Sequence, residues 1–359
     1  MRVAHVHWAA LPTMGGIETH LESLTTDTEF FAGTRDARTA VFHPCLEPGG
    51  GGSAADLADL TRRLAGADVV HLHNPQWHRP EVTDHLVRHL PVPRVLDVHN
   101  LAVRGTDTEA LRRWSALGGH LVAHSEFVAA ELRAEVPSAT VTVLPLALPR
   151  AVDGPPPIAD NGRPVVLQPT RLSSWKGSDL SLTMAADLLD RGHDFDFVHA
   201  GSEQLLWDPN IDEALLRRVE PWRERGRIRF VHYQPDRSWA AIGAADLVVH
   251  PTAGTQARGE PYSMSVAQAV ITGRPLVVSR SGNLPALVDG YPAARTVDVG
   301  DATALRDAVE SFLRGDWPRP GRAAMTRSAD ALRAYHDSAP RRHREFAASL
   351  ADDRAEAAR

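Results

Sequence analysis

Short apolar runs rich in β-branched residues alternate with helix-spaced stretches along almost the whole chain. Such alternation restricts the fold to parallel sheets with helices packed on both faces. The first series of runs is Val3–His7, Ala40–His43, Val69–His73, Arg94–Val98, Leu121–His124 and Val141–Leu144, with helical stretches such as Ala54–Ala65, Glu81–His89 and Glu126–Glu135 between them. A second series follows at Val165–Gln168, Asp196–His199, Ile228–His232, Leu247–His250, Leu276–Ser279 and Arg295–Val297. Between the two, Pro149-Arg150-Ala151-Val152-Asp153-Gly154-Pro155-Pro156-Pro157 can neither join a ladder nor continue a helix. The expected organisation is two doubly wound, Rossmann-like α/β domains, residues 1–150 and 164–335, joined by a proline-rich hinge at 151–163. From Arg322 the spacing is helical, and 336–359 is expected as a terminal helix packing back on the first domain. A chain of 359 residues is long enough for two such cores. Open α/β sheets bind ligands beyond the carboxyl ends of their strands, so two domains facing across a cleft are expected to hold the ligand there.

Composition removes several function classes. Hydrophobic residues make up 43% and charged residues 23%, which excludes wholesale disorder. Lys and Arg total 39 against 45 Asp and Glu, a net charge of −6 that attracts neither nucleic acid nor an anionic membrane. The single cysteine, Cys45, excludes an intramolecular disulfide and a cysteine-based zinc site. No apolar run approaches the roughly 18 residues of a membrane span. His5 and His7 interrupt the stretch where a secretory leader needs apolar residues, so the start reads as a strand and the expected location is cytoplasmic.

One count singles out a position. Of the 39 basic residues 38 are arginine, and the only lysine is Lys176. A coding bias against lysine explains the total but not the position that kept one. Lysine is a compact, rotatable point charge and arginine a wide planar fork, so a site too tight for the fork would retain lysine. Lys176 lies in Gln168-Pro169-Thr170-Arg171-Leu172-Ser173-Ser174-Trp175-Lys176-Gly177-Ser178, between the first strand of the second series and a helix. Two cations beside the positive end of a helix suit an anion with more than one charge, such as a diphosphate. The spaced glycines of a P-loop are missing.

Two further turns fit the same chemistry. Gly15-Gly16-Ile17-Glu18 puts a glycine pair ahead of a helix, where backbone N–H groups can approach a phosphate, although the same pair also makes an ordinary tight turn. The dinucleotide fingerprint G-x-G-x-x-G is absent. In Gly254–Gln268, Glu260 lies after the strand ending at His250 and Gln268 about one turn into the following helix. A carboxylate there can fix sugar hydroxyls or simply cap the helix.

Taken together, these segments resemble the retaining glycosyltransferases of the GT-B fold, specifically glycosyltransferase family 4. The carriers are Gly15-Gly16-Ile17-Glu18, Asp68-Val69-Val70-His71, Asp97-Val98-His99-Asn100, Ala123-His124-Ser125-Glu126, Arg171 with Lys176-Gly177, Ala200-Gly201-Ser202, and the stretch from Glu260 to Gly273-Arg274-Pro275-Leu276-Val277-Val278. The resemblance implies that Gly15 and Gly16 touch the donor diphosphate and that Arg171 and Lys176 neutralise it as it leaves. It also implies that Gly201 lines the nucleotide site, that Glu260 holds donor-sugar hydroxyls, and that His99 stands beside the transferred sugar. Tyr262, Ser263 and Met264 fall in the same donor segment. Two positions depart from the family pattern: Gln268 replaces the glutamate that grips the ribose, and Ser263 replaces a glycine beside the sugar. A carboxamide oxygen accepts a hydroxyl proton, but more weakly than a carboxylate.

The implied reaction is retaining and metal-independent, with a nucleotide-diphosphate sugar, UDP-linked by preference, as co-substrate and no cofactor. A nucleotide-sugar epimerase of the same fold and a non-catalytic nucleotide-sugar-binding protein are the competing readings. Residues 1–150 carry 13 Arg against 17 Asp and Glu, so a net of −4 argues against docking on an anionic leaflet. A soluble small molecule, such as an aminocyclitol or another natural-product core in secondary metabolism, is the expected acceptor. Arg112-Arg113-Trp114 is the only local hint of a membrane-facing patch. Asp194-Phe195-Asp196 spells a metal-binding D-x-D but runs into an apolar strand. The pairs His5/His7 and His71/His73 have a possible metal spacing, yet no acidic or cysteine partner is evident from the sequence, and packing explains them as well.

Overall fold

A computed structural model of the chain describes residues 1–9, 15–24, 29–33, 40–46, 52–99, 106–158, 161–201, 211–232, 235–252, 259–317, 321–357 and 359. Asn100, Ser202, residues 254–258 of the Glu260 segment, residues 159–160 of the hinge and most of Gly49–Gly52 lie outside the described residues. The chain forms two compact units, Met1–Leu148 with Tyr335–Arg359, and Pro149–Ala334.

In the first unit, seven strands among the described residues form one sheet in the order β3-β2-β1-β4-β5-β6-β7. They are β1 (Val3–Val6), β2 (Glu29–Ala32), β3 (Val41–Phe42), β4 (Val69–His73), β5 (Arg94–Val98), β6 (Gly119–Ala123) and β7 (Val141–Val143), and every pairing is parallel. The chain winds outward from β1 and then crosses to β4 on its other side, so the topological switch point lies between β1 and β4. β2 escaped the sequence reading because Glu29 breaks the apolar run. The structure pairs that carboxylate with Arg2 at 2.6 Å and buries Phe31 and Ala32.

Side chains alternate across the sheet, and one face changes character along the strands. Its first layer is apolar: Val3, Val69, Val95, Val122 and Leu144 pack against Ala347 and Leu350 of the helix Ala339–Ala357. Two residues further along the same strands come His5, His71 and Asp97, with His124 just past the end of β6. The opposite face packs a larger cluster that includes Leu60, Leu64, Leu86, Leu96, Trp114 and Leu132. Trp114 is buried, and its indole N–H donates to Asp84, which also pairs with Arg113 at 2.7 Å. The Arg112-Arg113-Trp114 sequence is therefore a core anchor with two exposed arginines.

The second unit repeats the architecture with six strands among the described residues, in the order β10-β9-β8-β11-β12-β13. These are β8 (Val165–Gln168), β9 (Asp196–Gly201), β10 (Ile228–His232), β11 (Leu247–His250), β12 (Leu276–Ser279) and β13 (Ala294–Val297), again all parallel. Their runs read as continuous apolar stretches because helices bury both faces. The switch point falls between β8 and β11. The proline-rich stretch is tied to this unit: Trp239 donates to the Pro149 carbonyl at 2.6 Å, and Arg237 to the Asp153 and Pro155 carbonyls at 3.1 and 2.5 Å.

Asp196 opens β9 at the end of the strand away from Gly201. It is buried and neutralised by Arg227 at 3.2 Å and Arg229 at 3.4 Å, with Asn161 donating at 2.9 Å. The D-x-D spelling thus belongs to a structural ion-pair network.

Candidate active site

The loop after β8 and the loop after β11 meet at the second unit's switch point. Ser174–Lys176 forms a single 3₁₀ turn, closed by Lys176 N–H to Ser173 O at 3.0 Å and Gly177 N–H to Ser174 O at 2.9 Å. Gly177 then takes φ +70°, and the helix Ser178–Asp190 begins. A Cβ on Gly177 would stand 2.0 Å from the Pro251 carbonyl oxygen, so only glycine lets the turn lie this close to the end of β11. That approach brings Lys176 Nζ to 2.6 Å from Glu260 Oε2.

The pair is well enclosed, with 15% of the Lys176 side chain and 3% of the Glu260 side chain accessible. Thr252 also donates to Glu260 Oε2 at 3.2 Å. The Glu260 backbone is held by Ser281 and by the Asn283 N–H, and Gly282, at φ +53°, leaves no room for a Cβ beside it. Burial pushes the Lys176 ammonium below its ordinary value, and Glu260 offsets only part of that. Burial alone would raise Glu260, but Lys176, His250 and the hydrogen bonds to it outweigh burial and hold the carboxyl below its usual range. The two groups form a salt bridge. An ammonium has three N–H donors, and the Glu260 contact uses one of them.

Arg171, the second expected cation, shares an aromatic platform with Lys176. The guanidinium lies 5.6 Å and the ammonium 4.1 Å from the centre of the Trp175 ring. Trp175 Nε1 is buried and has no hydrogen-bond partner among the described residues. Sequence reasoning missed this tryptophan as a site residue, although its place next to Lys176 was the signal. Gly201 ends β9 against the same loop, where a Cβ would meet the Thr170 carbonyl oxygen at 2.3 Å.

His250, also missed, organises the far side of Glu260. Its Nδ1 lies 2.9 Å from Thr252 Oγ1 and its Nε2 2.9 Å from Ser263 Oγ. Burial holds its pKa at about 4, so the ring is neutral and joins the two hydroxyls as one donor and one acceptor. Ser263 caps the helix Met264–Ile271 by accepting the Val266 N–H, which supplies a reason for serine there. Tyr262 and Met264 flank it. Gln268 is buried, and its amide donates to Ser238 Oγ at 2.7 Å.

In the first unit, Gly15 and Gly16 lead into the helix Gly16–Leu24 after β1. The Gly15 carbonyl accepts from Thr19 N–H and Oγ1, and the Cβ position of Gly16 opens on free space. Glu18, in that helix's first turn, pairs with buried His7 at 3.1 Å. His99 follows β5 at the centre of a buried histidine array. His5 Nδ1 contacts His73 Nε2 at 2.9 Å, and His73 Nδ1 contacts His99 Nε2 at 3.0 Å. Asn74, the one non-glycine residue with positive φ among the described residues, accepts the His99 N–H at 2.8 Å. The expectation that these histidines lack an acidic partner is overturned. Asp97 is fully buried among them, 2.6 Å from His124, 3.4 Å from His73, 3.7 Å from His99 and 3.8 Å from His71. Register across β4, β5 and β6 assembles the group, and a strand-by-strand reading does not show such register.

A cavity of about 430 Å³ lined by Pro164, Asp246, Pro275 and Trp317 lies at the opposite, amino-terminal ends of β8, β11 and β12, away from Lys176.

Residues 163–315 match the family described as Glycosyl transferases group 1. The chain is 30% identical over 170 residues to the D-inositol 3-phosphate glycosyltransferase of Corynebacterium diphtheriae, a match spanning 45% of this chain and 37% of that protein. Among solved structures, the sucrose-phosphate synthase of Thermosynechococcus elongatus superposes with a TM-score of 0.68 at 16% identity, over 97% of this chain and 100% of that one. Anabaena HepE in complex with UDP-glucose does so with a TM-score of 0.68 at 15% identity, over 99% of both chains. The chain thus has the two-sheet α/β fold of the GT-B glycosyltransferases, and its stretch 163–315, which holds Arg171, Lys176 and Glu260, is similar to the group 1 glycosyltransferases.

Proposed function

We propose that the protein transfers a sugar from a nucleotide-diphosphate sugar, UDP-linked by preference, to a soluble small-molecule acceptor with retention at the anomeric carbon. The observation that carries this reading is the Lys176–Glu260 pair beside Arg171, at a switch point within the group 1 glycosyltransferase stretch. Lys176 and Arg171 supply two positive charges where a diphosphate would develop negative charge, and Glu260 supplies an acceptor for sugar hydroxyls next to them. The acceptor oxygen bonds to the anomeric carbon as the bond to the diphosphate oxygen breaks, on the same face of the sugar. The bonding pair stays on the departing oxygen, which takes the acceptor's proton. Fixed cations stabilise that charge without reorganising, so the step needs neither a protein base nor a metal at the diphosphate. His99, Gly15 and Gly16 are assigned to the sugar and diphosphate on the family resemblance.

The acceptor class follows from charge and likeness. The acidic balance of residues 1–150 disfavours an anionic membrane surface, and the Corynebacterium relative is named for a cyclitol phosphate acceptor. Cyclitols, aminocyclitols and their phosphates are therefore the first acceptors to test. The experiment incubates the protein with UDP-, GDP- and dTDP-sugars, with and without such acceptors, and follows nucleotide release and products. Acceptor-dependent release of UDP with a new glycoside is the expected result. An isomerised sugar nucleotide would identify an epimerase, and binding without release a non-catalytic protein.

Gln268 gives a sharper check on donor binding. Gln268→Glu restores the family's ribose-gripping carboxylate, and Ser238 can turn its hydroxyl to donate to it. The variant is expected to bind the nucleotide sugar about fivefold more tightly, the difference between a neutral and a charge-assisted hydrogen bond. Calorimetry showing weaker binding would mean that Gln268 serves the Ser238 contact and not the ribose.

A further inference from the structure

An unbroken chain of polar side chains runs from Ser263 through His250 and Thr252 to Glu260, and counting protons gives it a direction. All four residues are almost fully enclosed. Thr252 Oγ1 lies 3.2 Å from Glu260 Oε2 and 2.9 Å from His250 Nδ1. The same Glu260 oxygen faces the Lys176 ammonium at 2.6 Å, so it carries no proton and can only accept. A hydroxyl has one proton to give. Thr252 therefore gives it to Glu260, and its oxygen must accept from His250 Nδ1–H.

The remaining links follow. With the ring neutral and its proton on Nδ1, the lone pair sits on Nε2, 2.9 Å from Ser263 Oγ, so Ser263 donates to it. Its only proton spent, Ser263 Oγ accepts from the Val266 N–H at 3.3 Å and from the Ser265 hydroxyl at 3.1 Å. One donor and two lone pairs are then all engaged, and Ser263 keeps no capacity for a sugar hydroxyl. Every bond points the same way, toward Glu260, and bonds aligned like this polarise one another. The Thr252 backbone is held as well, since Ser279 donates to its carbonyl at 2.8 Å. Lys176 and Thr252 both engage Glu260 Oε2, whereas Oε1 accepts from no described residue.

We propose that His250 is a positioning residue for Glu260. Its Nδ1–H holds the Thr252 hydroxyl on Oε2, which fixes the carboxylate so that Oε1 is left to accept a hydroxyl of the donor sugar. Ser263 supplies the proton that keeps the ring in this tautomer. A glycine there would leave the buried Nε2 without a donor, which gives the departure from the family pattern a physical reason. The proposal rests on the reading of Glu260 as the group that holds the sugar. Since the chain ends on Glu260 and not on Arg171, it bears on the sugar and leaves the diphosphate to the two cations.

Two measurements on the full chain test it. Nitrogen NMR of the ligand-free protein with labelled histidine should find the His250 ring neutral at neutral pH with its proton on Nδ1, the signal being assigned by its loss in His250→Gln. A proton on Nε2 would overturn the proposal whatever the donor is. Calorimetry with UDP-glucose and with UDP reads the consequence. His250→Asn keeps an N–H at the Nδ1 position and so the link to Thr252, while His250→Gln keeps only an acceptor at the Nε2 position. His250→Gln is expected to weaken UDP-glucose about three- to tenfold, the worth of one neutral hydrogen bond, with UDP changed by less than about twofold. His250→Asn should bind both as the parent does. Thr252→Val should repeat the loss should His250→Gln not fold, and Thr252→Ser should restore binding. A histidine that serves packing alone predicts both ligands weakened alike, or equal effects of His250→Asn and His250→Gln, and either result would overturn the proposal. Glu260→Gln separates the two levels. If it leaves UDP-glucose binding unchanged, the reading of Glu260 fails and the positioning role with it. A loss there but in neither His250→Gln nor Thr252→Val fails the positioning role alone.

Discussion

Lys176→Ala is expected to lower kcat/KM by about 10- to 100-fold or more, because a charge-assisted hydrogen bond of about 1.5–3 kcal/mol is lost where transition-state charge develops. The same change should also cost stability. It leaves Glu260, with 3% of its side chain exposed, without its cation. Breaking one side of a buried pair costs about 3–5 kcal/mol, and protonation of the stranded carboxyl sets a ceiling near the lower end. Loss of activity and loss of fold must therefore be separated. Lys176→Met combined with Glu260→Gln removes both charges, retains most of the volume and should recover much of the stability. Its turnover should stay as low as that of Lys176→Ala. Thermal unfolding measured beside kcat/KM for both variants makes the distinction, and turnover restored in the double variant would remove Lys176 from the chemistry.

Gly177→Ala should be the most destabilising single-methyl change in the second unit's site. Alanine at φ +70° is strained by about 1–3 kcal/mol, and its Cβ would also stand 2.0 Å from a backbone oxygen of Pro251. Backbone cannot yield as a flexible side chain does, and overpacking adds about 1–3 kcal/mol, for a total of about 2–6 kcal/mol. If the unit still folds, the Lys176 turn must move away from β11, lengthening the 2.6 Å contact to Glu260 and weakening nucleotide binding. Denaturant unfolding reads the first effect and calorimetry with UDP the second. A variant as stable as the parent would show that the turn is not pressed against β11.

The alternation of apolar runs already specified two parallel sheets, and eleven of the twelve runs that it marked overlap strands at most of their positions, with Val41–Phe42 the shortest. It missed β2, where one glutamate hides a four-residue strand. Lys176, which the fold sets against Glu260, was legible as a candidate because composition singled it out. Trp175 and His250 were not, since their roles depend on side chains converging from separate loops. The histidine array around Asp97 was hidden for a related reason. Its members lie on β1, the helix Gly16–Leu24, β4, β5, the end of β6 and the terminal helix, and only strand register and the return of the helix bring them together. Gln268 shows the converse: motif spacing pointed to the ribose, whereas the fold engages its amide with Ser238.

The most direct measurement is a crystal structure of the chain with UDP bound. Diphosphate oxygens are expected within hydrogen-bond distance of Lys176 Nζ and the Arg171 guanidinium, with Glu260 still beside the lysine. Nucleotide bound with its phosphates remote from both cations would remove Lys176 and Arg171 from the diphosphate site.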